Sequence, residues 1–179
     1  MKNTEARTPA LTPQIQKQVK QAIRILKEGG VVAYPTDTVY GLGALMQDIA
    51  AVERIFEIKG RTKGMALPLL LSTVSQISAI ATVVPPAALQ LAKIFLPGAL
   101  TIILLKSKMV PDVVTAGAQT IAFRIPNHPV ALALINGVGM PIIGTSANLS
   151  RRPAGLTAAE VTAQIGEKVD MIVDGGKCP

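Results

Sequence analysis

Hydrophobic positions in this chain change period several times, and each change marks an element. Behind Thr12-Pro13, the residues Ile15, Val19, Ala22, Ile23 and Leu26 fall on one helical face, and Gly29-Gly30 follows. A threonine can accept the free amides of a first turn, and proline suits the first helical position. A glycine ends the run, so a helix is predicted between them. Val31–Tyr34 is a short apolar run and reads as a buried strand. Pro35–Gly43 is turn-rich. Asp48 then caps a helix carrying Ile49, Val52, Ile55 and Phe56, which ends near Gly60. Leu67–Leu71 predicts a strand, and short helices follow around Val74–Ala81 and Pro86–Phe95. Leu100–Leu105 and Thr120–Ile125 read as strands, and Val130–Ile135 as a helix. Pro141–Gly144 is a strand running into Thr145-Ser146-Ala147-Asn148. Thr157 caps a helix to Gln164, and Met171–Val173 is a last strand.

Strands and helices thus alternate through 179 residues with no repeat and no linker. That predicts one α/β domain of the α+β type, a twisted, mixed open sheet flanked by helices. The connections are too uneven for a strict βαβ series. Residues 1–12 are expected to be a flexible N-terminal segment and residues 13–179 the domain. The stretch from Ala66 to Ala92 has no charge, but Pro68, Pro85 and Pro86 interrupt it. It reads as a buried strand and short helices rather than a membrane span. The first residues are polar and lack an apolar leader core, so a soluble, cytoplasmic protein without membrane contact is expected.

Composition narrows the chemistry. One cysteine, Cys178, excludes an intrachain disulfide and a cysteine-rich zinc site, and one histidine, His128, excludes a histidine metal cluster. Aromatic residues make up 3%, too few for a platform that stacks single-stranded bases. The net charge is +7, and its placement matters more than its size. Between residues 58 and 159 stand Lys59, Arg61, Lys63, Lys93, Lys106, Lys108, Arg124, Arg151 and Arg152, against the single acid Asp112. A fold that gathers these segments makes a surface that attracts polyanions; scattered, they are an ordinary solvated face.

Three polar loops could carry a site: Pro35–Gly43, Lys59–Lys63 and Gly144–Asn148. In Lys59-Gly60-Arg61-Thr62-Lys63-Gly64, cations alternate with glycines, a composition suited to phosphate; the bland alternative is a charged helix end. Arg124 lies within the apolar strand Ile121–Ile125, where it must meet either solvent or an anion. His128, between Asn127 and Pro129, reads as a structural hydrogen-bonder. No Walker A pattern is present.

Together the segments say more. Pro35-Thr36-Asp37-Thr38-Val39-Tyr40-Gly41-Leu42-Gly43, Lys59-Gly60-Arg61, Leu96-Pro97-Gly98-Ala99-Leu100-Thr101, Arg124-Ile125-Pro126-Asn127-His128-Pro129 and Ser146-Ala147-Asn148 occur in this order. In order and spacing the chain resembles the YrdC/TsaC family, which contains the threonylcarbamoyl-AMP synthases, from about Ile15 to Gly176. The resemblance implies a YrdC-like sheet with a concave basic cavity. It implies a nucleotidyltransferase that joins L-threonine, bicarbonate and ATP into threonylcarbamoyl-AMP and pyrophosphate. The product would pass to a tRNA threonylcarbamoyl-transferase complex for N6-threonylcarbamoylation of adenosine 37.

By the same resemblance, Lys59, Arg61, Ser146 and Asn148 are the catalytic residues. Thr38, Arg124 and Gly144 bind threonine. Arg61, Met65, Thr120, Ser146 and Ala154 bind ATP. Mg²⁺ is expected with ATP, without a metal held by protein ligands and without a tightly bound organic cofactor. Any direct tRNA binding is expected to be weak. The chain departs from the family pattern at three places. Thr62 stands where the family has proline, and Leu67 where a polar residue precedes Pro-Leu. Leu70 aligns with a threonine-contacting histidine of some members. The family also continues through a Ser-Thr pair and a final strand, so the C-terminal end of its domain is expected to be missing here. Two other readings are a tRNA- or rRNA-binding module using the basic concave surface, and the carbamoyl-transfer module of hydrogenase maturation proteins. The extra domains of the latter do not fit in this length.

Overall fold

In the computed structural model of the chain, residues 11–62 and 64–179 are described. Most of the segment expected to be flexible, residues 1–10, lies outside them, as does Lys63. The first element forms as its sequence dictates. Thr12 Oγ1 accepts the Ile15 amide at 3.3 Å, and helix α1 runs Pro13–Lys27. Such a cap is worth about 1 kcal/mol. Val19, Ala22 and Leu26 are its buried stripe. Strands β1 (Val32–Tyr34) and β2 (Gly41–Gly43) follow, then α2 (Ile49–Lys59), capped by Asp48, whose Oδ1 accepts the Ala51 amide at 3.0 Å. After β3 (Leu69–Leu70) come α3 (Ile77–Ile80) and α4 (Pro86–Phe95). Strand β4 (Ile102–Leu105), α5 (Asp112–Thr115), β5 (Thr120–Arg124) and α6 (Pro129–Val138) lead to β6 (Ile142–Ile143) and β7 (Thr145–Ser146). The described chain ends with α7 (Ala158–Ile165), β8 (Met171–Ile172) and a tail.

The strands form two four-stranded sheets, β7-β2-β1-β8 and β4-β5-β3-β6. They join along one line. Leu42 pairs with Thr145, and three residues on in each direction Leu45 bridges Ile142 in the same antiparallel register. Segment 142–146 therefore runs between β2 on one side and β3 on the other, and Ile143 N–H donates to Ala44 O at 2.9 Å while Gly144 N–H donates to Pro68 O at 3.0 Å. The pairs β1–β8 and β3–β5 are parallel and the others antiparallel, so the mixed, helix-flanked sheet expected from the sequence is present.

Side-chain alternation divides the apolar residues between two cores. On β1, Val32 and Tyr34 join the core under α1 and α6, with Leu70, Leu134, Ile135 and Ile142. Val31 and Ala33 face the other core, built with Ile55 and Phe56 of α2, Ile77, Phe123 and Val161. Among the described residues, five helices contribute to the core on the second face and two to the core on the first. Where α1 and α6 run out, the first face is open. Arg124 pairs with Leu70 on that face, while Ile103 and Leu105 pair there with Ala122 and Thr120 and remain 63% and 56% exposed.

Three of the elements named above lie outside the expected set. β2 sits in the turn-rich segment because Leu42 is its single apolar side chain between two glycines, too little to show a period. β7 is polar, and only its ladder with β2 makes it a strand. α5 is a single turn after Pro111, within a segment too short for helical periodicity.

Candidate active site

Helix α2 ends in a turn that aims two cations. Gly60 has φ +56°, its N–H donates to Glu57 O at 3.1 Å, and the Arg61 N–H donates to Phe56 O at 2.9 Å. This is the paired closure that a left-handed residue allows, so the helix end and the cationic loop are one object. The turn leaves Lys59 pointing inward and sends Arg61 out past it. Lys59 is only 4% exposed. Its ammonium donates to Asn148 O at 3.0 Å, to Asn148 Oδ1 at 3.1 Å and to Ser146 O. Its own carbonyl accepts the Ser150 amide at 2.8 Å. All these acceptors are uncharged. Burial, and then the neighbouring Arg61, push Lys59 down to about 8.

Asn148 turns the loop after β7. Its Nδ2 donates to Leu149 O at 3.0 Å and Arg152 O at 2.6 Å. Lys59 and Asn148 thus hold Ser146 from behind, with Ser146 Oγ 3.5 Å from the ammonium.

Arg124 is held differently. Its Nη2 pairs with Asp37 Oδ1, Nε donates to Gly98 O at 2.8 Å, and Nη1 donates to Thr38 Oγ1 at 3.4 Å. A guanidinium has five N–H groups, so two stay available. The loop that presents Asp37 and Thr38 is itself tied by Thr36, whose Oγ1 donates to Val39 O at 2.6 Å and accepts the Thr38 amide at 3.2 Å. His128 Nδ1 accepts the Val130 amide at 3.3 Å as the cap of α6, and burial lowers its pKa.

Two cavities flank Ser146. The smaller, about 150 Å³, is lined by Thr36, Thr38, Leu70, Arg124, Gly144 and Ser146 among others. Gly144 is needed there, because a Cβ at this position would lie 2.2 Å from Leu70 Cγ. The larger, about 700 Å³, is lined by Lys59, Gly60, Arg61, Thr62, Met65, Ser146, Asn148, Ser150 and Arg151. Among the described residues its lining carries three cations and no acid. Arg61 Nη2 donates to Ala66 O at 3.3 Å, but its buried Nε has no hydrogen-bond partner.

The structure therefore groups Thr38, Arg124 and Gly144 around one cavity, and Lys59, Arg61, Met65 and Asn148 around the other, with Ser146 in both. Thr120, exposed at the start of β5, and the half-buried Ala154 line neither. Asp37 and Arg151 are additions. In the sequence, Asp37 is one turn residue among several, and its pairing partner is 87 residues away. Arg151 had no signal beyond its charge.

The model of the family Sua5/YciO/YrdC, described as telomere recombination, matches residues 24–179. A Bacillus subtilis relative named threonylcarbamoyl-AMP synthase is 44% identical over 89% of this chain and 46% of its own length. One of the same name from Halorhodospira halophila is 35% identical over 88% of this chain and 83% of its own. A crystal structure of Pyrococcus abyssi Sua5 complexed with L-threonine superposes with a TM-score of 0.90 at 40% identity, covering 96% of this chain and 50% of that one. The chain spans about half the length of the first curated relatives it matches. With the family model over most of its residues and relatives of this similarity, the chain belongs to the Sua5/YciO/YrdC family.

Proposed function

We propose that the chain forms threonylcarbamoyl-AMP and pyrophosphate from L-threonine, bicarbonate and ATP. One observation carries the reading: two cavities, one with a strand-borne arginine and one with three unneutralised cations, meet at Ser146. The names of its relatives support it, and they do not favour a dedicated RNA-binding module.

The reaction brings two anions together. Threonine is first carboxylated on its amine, and the carbamate oxygen then attacks the α-phosphorus of ATP. The bond from Pα to the bridging oxygen breaks, and its electron pair leaves with pyrophosphate. A site for this needs positioning and charge screening and no protein nucleophile. The small cavity holds threonine, with the free N–H groups of Arg124 on its carboxylate and Thr38 beside it. Asp37 fixes the guanidinium and keeps the empty cavity near neutral, so a zwitterion is not repelled. The large cavity holds the nucleotide. Lys59 places a buried positive charge behind Ser146 and holds the loop rigid, while Arg61 reaches the phosphates.

Mg²⁺ enters as part of the substrate. The lining of the large cavity offers hydroxyls and an amide but no carboxylate, a poor donor set for a protein-held divalent ion and a good one for a metal already carried by ATP oxygens. The product is an activated acyl-adenylate, and a tRNA threonylcarbamoyl-transferase consumes it. Contact with tRNA is weak and salt-dependent. The test is pyrophosphate release: it must require threonine and bicarbonate together. Release of orthophosphate, or release independent of threonine, overturns the reading.

A further inference from the structure

Arg151 has φ +68°, the left-handed region that glycine fills without strain. Among the described residues only one other non-glycine, Ala116, has positive φ. The turn around Arg151 is fixed from every side. Ser150 N–H donates to Lys59 O at 2.8 Å, Arg152 N–H to Leu149 O at 3.0 Å, and Leu149 N–H to Gln164 Oε1 at 3.2 Å. Gln164 Nε2 in turn donates to Pro153 O at 3.0 Å. This network holds an arginine where the backbone favours glycine, and strain of that kind persists where a side chain is needed. Arg151 lines the large cavity, and among the described residues it has neither an ion pair nor a hydrogen bond to its side chain. Its neighbour Arg152 does not line the cavity.

In-line displacement fixes the direction of the leaving group. The attacking carboxylate comes from the small cavity, on one side of Ser146. The leaving phosphates must therefore project away from it, into the large cavity, where the half-buried Arg61 and the exposed Arg151 are the cations in front of the buried Lys59.

We infer that Arg151 grips the β- and γ-phosphates of the nucleoside triphosphate together with Arg61, and stabilises the departing pyrophosphate. The inference rests on the nucleotide reading given above and adds a residue to it. Its signature is discrimination by phosphate number. Arg151 strengthens binding of ATP and pyrophosphate and leaves AMP, which ends at the α-phosphate, untouched.

Calorimetric titration of ATP, AMP and inorganic pyrophosphate into the parent, Arg151→Gly, Arg151→Asn and Arg151→Lys tests this at fixed Mg²⁺ and salt. Glycine and asparagine both tolerate the left-handed backbone, so these variants fold. Both lose about tenfold in ATP and pyrophosphate affinity, AMP stays within about twofold, and lysine restores part of the loss, as a point charge replacing a two-pronged donor does. Arg151→Gly also melts no lower than the parent, since strain is released. ATP and pyrophosphate bound equally well by the parent and Arg151→Gly overturn the inference and leave the nucleotide reading standing. Equal losses for AMP and ATP overturn it too, because they indicate a loop defect. A parent that binds none of the three overturns the nucleotide reading and the inference with it.

Discussion

The two cavities beside Ser146 solve the problem of buried charge in opposite ways. In the small one, the guanidinium of Arg124 already has a carboxylate, Asp37, and both side chains are only 16% exposed. In the large one, Lys59 is deeper still and, among the described residues, meets no acid, only carbonyls and an amide oxygen. A paired charge gives direction without a strong field, which suits a zwitterion. An unpaired charge costs stability in the empty protein and recovers it when a polyanion arrives. On the proposed reading, selectivity between the two substrates lies in whether the counter-ion is built in or brought by the ligand.

Breaking the shared wall has the largest effect. Lys59→Met removes the buried charge and the donor that holds Ser146 and Asn148, so both cavities lose their common edge. Pyrophosphate release falls by about 10²-fold or more, comparable to the removal of a transition-state donor. Steady-state kinetics with a parallel melting curve measures it; a loss confined to ATP affinity counts against the common-wall role.

Arg124→Ala comes next. It strips threonine of its partner and leaves Asp37 buried and unpaired, so threonine binding weakens by about 2–5 kcal/mol while ATP binding changes little. Arg124→Ala/Asp37→Ala as a double change relieves the stranded charge and recovers stability but not threonine affinity. Titration of each ligand, with folding checked by circular dichroism, separates the two effects.

Much of this comparison was legible in the sequence, and its limits have a physical pattern. The caps Thr12, Asp48 and Thr157 are local devices and stand where expected, each accepting an amide three residues on. Lys59, Arg61, Ser146 and Asn148 stand in the family's order along the chain, and the structure brings all four to one cavity. The pairing of Arg124 with Asp37 was not, since that is decided by which strand end a loop lies against. β2 and β7 escaped for the same reason: glycine and hydroxyl residues carry no period, and only a ladder partner makes them strands.

Arg61→Ala sharpens the contrast from the other side. Its half-buried guanidinium has, among the described residues, one long hydrogen bond, so ATP affinity drops by about tenfold and threonine binding is retained. Arg61→Lys restores part of it, and calorimetry in the same buffer decides.

The smallest effect expected is in pH. Lys59 is lowered to about 8 in the empty protein, mainly by burial, against an ordinary value of 10.5. Between these values the unfolded chain binds the extra proton, so the contribution of Lys59 to stability rises with pH in that window. Nucleotide affinity moves the other way, falling as pH passes about 8 and the ammonium loses its charge. ATP binding near pH 8 therefore takes up a fraction of a proton, measurable as a buffer-dependent heat. Lys59→Met abolishes the uptake; threonine binding shows none in either protein.

Segment 142–146 is held from both sides, Ile143 by Ala44 and Gly144 by Pro68. Opening either half of the sheet leaves it still bonded to the other. Opening one half frees only the amide bonded to it, so the Ile143 and Gly144 amides exchange together with solvent deuterium only when both halves open, and the Ser146 hydroxyl hangs from the end of that line. On the proposed reading, the centre of the site is thereby carried by a segment anchored to both sheets at once.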